Sequence, residues 1–127
     1  LIYERAEIRY KRNQFDLAFE DYQKLLSHED VPNDIKKIAF SRLAEIGQNK
    51  GDYASAEKYY REAGKYADAK EKINFENNIF ASIQSDANSL MSSGDFLSAA
   101  EKYLQLSKEI EKTDQAKSTG FKLKAIE

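Results

Sequence analysis

Cysteine and tryptophan are absent from the 127 residues, proline occurs once and glycine five times. Without cysteine there is no disulfide scaffold, no thiol nucleophile and no thiolate metal site. Such a chain suits a reducing cytoplasm or an oxidising bacterial periplasm, so the compartment stays open. So little glycine and proline leaves few residues for tight turns, which argues against a β-sandwich or barrel. His28 is the single histidine and stands beside Glu29 and Asp30. A catalytic or metal role would need partners that a lone histidine lacks, and a solvated loop residue accounts for it better. No apolar stretch approaches the roughly 18 residues of a membrane span, so direct membrane insertion is not expected.

Charge of one sign is lacking too. Twenty Lys and Arg stand against 22 Asp and Glu, a net charge of −2. The basic doublets Lys11-Arg12 and Lys36-Lys37 are isolated, so no field would gather nucleic-acid phosphates. Gly64-Lys65 lacks the upstream glycine of a phosphate-cradling loop, and no cofactor is expected. The start, Leu1-Ile2-Tyr3-Glu4-Arg5, has neither Met nor the form of a signal peptide, and reads as the start of a piece of a longer protein.

What the sequence has is repetition. Gly51-Asp52-Tyr53 with Ala56 recurs as Gly94-Asp95-Phe96 with Ala99, and in degenerate form as Asn13-Gln14-Phe15 with Ala18. Four residues beyond each Ala stands Tyr22, Tyr60 or Tyr103. Seven residues before each Gly or Asn stands Ala6, Ala44 or Ala87, preceded at i−4 by Ile2, Phe40 or Ile83. Phe121 and Ala125 repeat that large-small pair once more, and successive units are 38, 43 and 38 residues apart.

Apolar residues recur at helical spacing throughout, as in Ile35, Ile38, Ala39, Leu43, Ala44 and Ile46. The pattern predicts seven helices, at about 1–12, 15–28, 34–49, 53–67, 71–92, 96–112 and 115–126. Gly51, Gly94 and Asn13 supply left-handed backbone at helix ends, and Asp52 and Asp95 cap the following helices. The one pronounced loop is 27–34, where Pro32 forbids a continued helix. The alanines let paired helices approach, and Tyr22, Tyr60 and Tyr103 are expected to cover the seam to the next unit. The excess length of residues 64–86, with no proline, predicts added helical turns.

At these residues the chain resembles the tetratricopeptide repeat family. The resemblance implies an all-α fold, an α-solenoid of helix-turn-helix repeats: three repeats, about 1–33, 34–70 and 71–113, plus the first helix of a fourth at 114–127. It departs from the family where Arg5 and Asp86 replace the large residue that Leu43 supplies before the alanine, and in units longer than 34 residues. The family implies a non-catalytic scaffold that holds a protein or peptide partner in a groove lined by the first helix of each pair. By repeat position the groove candidates are Tyr3, Glu7, Tyr10 and Lys11, then Ser41, Arg42, Glu45, Gln48 and Asn49, then Gln84, Ser85, Asn88, Met91 and Ser92. Tyr10 and Arg42 are the expected energetic anchors. A clamp for a chaperone's C-terminal carboxylate is rejected: the matching positions are Tyr3, Glu7, Arg42, Ala81 and Ser85, of which only Arg42 could donate charge. Alternative readings are a regulatory or accessory region of a larger enzyme or signalling protein, and an envelope assembly factor. The apolar residues Phe121, Leu123 and Ile126 lead to the expectation of further chain after Glu127 or of self-association through the C-terminal helix.

Overall fold

The computed structural model describes the backbone of residues 1–126 and the side chains of residues 1–115. Six helices make up these residues: α1 Ile2–Lys11, α2 Phe15–Leu26, α3 Asn33–Asn49, α4 Tyr53–Gly64, α5 Ala69–Ser93 and α6 Phe96–Ile126. The described residues contain no strand, so the chain is all-α. It forms two compact units, Leu1–Ser82 and Ile83–Glu127, with the boundary inside α5.

The same turn is built three times. Asn13, Gly51 and Gly94 have φ of 61°, 78° and 87°. In each case the following amide bonds back to a carbonyl five residues earlier: Gln14 to Arg9, Asp52 to Gly47 and Asp95 to Leu90, at 2.8, 2.8 and 2.9 Å. That is the double-bonded helix ending in which a left-handed residue satisfies carbonyls the helix would leave bare. Asp52 and Asp95 then accept from the amides of Ser55 and Ser98. α5 starts at Ala69, two residues earlier than the periodicity indicates, because Asp68 and Glu71 bond each other's amides in a reciprocal cap. Its 25 residues contain the added turns expected between units.

The small columns are buried: Ala6, Ala18, Ala44, Ala56, Ala87 and Ala99 have no exposed surface. In the first unit Ala6 and Ala18 join Tyr22, Ala39, Leu43 and Ile46 in one cluster, so the core of the first hairpin continues into α3. Phe40 extends the apolar packing through stacking on Tyr59 and Tyr66, with ring centroids 6.3 and 6.2 Å apart. Full burial of side chains such as Leu43 and Ile46 stabilises by about 2 kcal/mol each.

Two of the three column tyrosines are buried as seam residues, whereas Tyr103 is 38% exposed, against the expectation. Tyr22 lies in the cluster shared with α3, and the Tyr60 ring meets Phe75 of α5, as a seam residue should. Each hydroxyl, however, turns back into its own hairpin: Tyr22 donates to Glu7, Tyr60 to Gln48 and Tyr103 to Asn88. The buried phenols of Tyr22 and Tyr60 need an acceptor, and the first helix of each pair supplies one.

The break expected between 112 and 115 does not occur. α6 runs unbroken from Phe96 to Ile126, so no separate first helix of a fourth repeat follows it. No glycine or proline stands between Leu97 and Thr119. Thr113, in place of capping a new helix, donates its hydroxyl to the Glu109 carbonyl one turn back. The side chains of Phe121, Leu123, Ala125 and Ile126 lie outside the described residues.

Candidate functional site

In the first unit, α1, α3 and the first turns of α5 border a cleft of about 270 Å³. Helical spacing puts Tyr3, Glu7 and Tyr10 on one face of α1 and Ile38, Arg42 and Glu45 on one face of α3. Six of the expected groove residues therefore belong to one neighbourhood: Tyr3, Glu7, Ser41 and Arg42 line the cleft, and Tyr10 and Glu45 join Arg42 beside it.

Arg42 organises that neighbourhood. Its Nε and Nη2 donate to the two Glu7 oxygens at 3.1 and 3.3 Å, and its Nη1 to Glu45 at 3.4 Å. The guanidinium lies 4.4 Å from the centre of the Tyr10 ring. Tyr10 donates its hydroxyl to Glu45, and Tyr22 reaches Glu7 from α2. Burial would raise the Glu7 carboxyl, but hydrogen bonds from Arg42 and Tyr22, with the charges of Arg42 and Lys11, bring it below the usual range. The Arg42 guanidinium is held charged, chiefly by Glu7. Burial, then the Glu45 hydrogen bond, raises the Tyr10 phenol. Arg42 and Tyr10 thus already hold α1 to α3, and Arg42 offers no uncompensated charge to an anionic ligand.

On the α5 side, Lys37 Nζ donates to Glu71 at 2.8 Å. Ile38 and Phe75 add apolar surface, and Tyr3 and Ser41 add hydroxyls, although the Ser41 hydroxyl is bonded to the Lys37 carbonyl. Lys37, Ile38, Glu71 and Phe75 are absent from the sequence-derived set. Lys37 and Ile38 lie one turn before Ser41 and Arg42 on the same face, which the periodicity of α3 could have shown. Glu71 and Phe75 enter through the turns by which α5 exceeds the repeat frame, where the frame gives no position.

The other candidates lie elsewhere. Lys11 and Asn49 are exposed near the ends of α1 and α3. Gln48 bridges Tyr60 and Ser82, and so serves packing. Asn88 and Met91 belong to the second unit and are exposed there; Asn88 accepts from Tyr103. His28 lines a separate cleft of about 450 Å³ with Glu4, Asp30 and Pro32. Among the described residues no group of three or more His, Cys, Asp or Glu could hold a metal.

Ion pairs also explain the departures from the apolar frame. Arg5, where the second hairpin has Leu43, makes two hydrogen bonds to Asp21, 16 residues on, and Arg9 adds a third. Asp86, at the same position in the last hairpin, pairs with Lys102, again 16 residues on and with the signs exchanged. No family model, curated protein or solved structure matches the chain.

Proposed function

We propose that the chain is a tetratricopeptide-like α-solenoid segment whose work is to hold a stretch of another protein, without catalysis, in the cleft between α1, α3 and the start of α5. The single observation that carries this reading is the composition of that cleft. Apolar Ile38 and Phe75 lie among Lys37–Glu71 and Arg42–Glu7, pairs whose charges offset each other, with the Tyr3 hydroxyl at the edge. Such a surface suits an apolar side chain flanked by uncharged backbone better than a phosphate or a free carboxylate. The thrice-repeated turn, the buried alanine columns and the tyrosine bonded within each hairpin support the repeat assignment.

Selection of peptides from a displayed library on the immobilised chain tests it. Selected peptides should converge on an apolar anchor, and Ser41→Arg, which sets a long cation in the cleft, should weaken them at least about tenfold with helicity unchanged. Peptides unaffected by Ser41→Arg would place binding outside the cleft.

A further inference from the structure

Residues buried or half-buried in the first hairpin have bare counterparts on α6. Phe15, Phe19 and Tyr22 share a face of α2 that packs on the cluster containing Ala39 and Leu43 of α3. The repeat frame maps them onto Phe96, Ala100 and Tyr103, and all three are exposed, Phe96 at 63% and Tyr103 at 38%. Leu97 and Leu104, 74% and 56% exposed, widen the same stripe. A continuous apolar stripe on a helix face marks an interaction surface.

The charges beside the stripe identify the occupant. Glu101 and Lys108 are both exposed, three residues before and four after Leu104, so they lie along one edge of the Leu97–Leu104 side. We propose that a second copy of this chain covers the stripe, α6 against α6, antiparallel about a twofold axis beside Leu104. That axis sets Glu101 of each copy opposite Lys108 of the other, which yields two equivalent ion pairs around a Leu104–Leu104 contact. In a parallel twofold pair the edge carrying Glu101 and Lys108 would meet the opposite edge of the other stripe, so only the antiparallel arrangement sets these two residues against each other. The surface lies wholly in the second unit and is independent of the cleft in the first.

Sedimentation equilibrium of the whole chain over about a hundredfold concentration range tests the pairing. The chain should pass from monomer to dimer, and Leu104→Asp should abolish the dimer with the circular dichroism spectrum unchanged. Glu101→Lys alone and Lys108→Glu alone should each raise the dissociation constant about tenfold, and the two combined should restore it to within about threefold, since the exchanged charges again meet their opposites. A chain that is monomeric throughout, a dimer indifferent to Leu104→Asp, or a combined variant no tighter than either single one would overturn the proposal.

Discussion

Asp21, 1% exposed, carries more polar interaction than any apolar frame would assign to its position, because Arg5 and Arg9 converge on its carboxylate. Burial would push its carboxyl up, but the Arg5 hydrogen bonds and charge, then the Arg9 charge, bring it down. Asp21→Asn keeps the shape and removes the charge, and should cost about 1.5–3 kcal/mol in urea unfolding, the value of hydrogen bonds to charged groups. Gly47 makes the opposite kind of contact. A Cβ there would stand 3.1 Å from the Asp52 carbonyl oxygen and 3.3 Å from the Ala56 nitrogen, backbone atoms that cannot move alone. Gly47→Ala should therefore lower the urea midpoint, although helix propensity by itself would favour alanine by about 1 kcal/mol. A raised midpoint would show that α4 shifts to admit the methyl group.

At the scale of the element, the paired helices depend on their small columns and their turns. Ala56→Leu should overpack the α3–α4 crossing and cost about 1–3 kcal/mol, against about 0.5 or less for Lys65→Ala on the surface. Equal urea midpoints for these two variants would contradict the packing. Asn13→Gly should be neutral or stabilising, since Asn13 sits at φ 61°, a region that glycine enters without a Cβ clash. Such turns and columns are legible in the sequence because backbone sterics act locally: only a few residue types accept positive φ, and only small ones accept a close helix crossing. The run into α6 was not legible in the same way. Thr113 and Asp114 favour helix starts in general, but no glycine or proline between Leu97 and Thr119 forces a break, and the Thr113 hydroxyl bonds the Glu109 carbonyl within the continuous helix.

On the scale of the whole molecule, acid should act on the first unit through Asp21 and Glu7. Both carboxyls lie below their ordinary values, so their contribution is present above the usual carboxylate range and is lost as the pH falls below about 4. The protection of amides in residues 1–82, taken relative to the unfolded-chain exchange rate at each pH, should fall over that interval, and Asp21→Asn should flatten the dependence. Unchanged protection down to about pH 2 would show that the arginines contribute no net stability. The sequence by itself determined the helical class, the three turns and the buried alanine columns, all of which follow from spacing and from backbone geometry within a few residues. Only the tertiary structure decided which partners the charged and phenolic groups take. Arg5 with Asp21, Arg42 with Glu7, and Lys37 with Glu71 are 16 to 35 residues apart and meet only because their helices pack, a distance over which no local pattern operates.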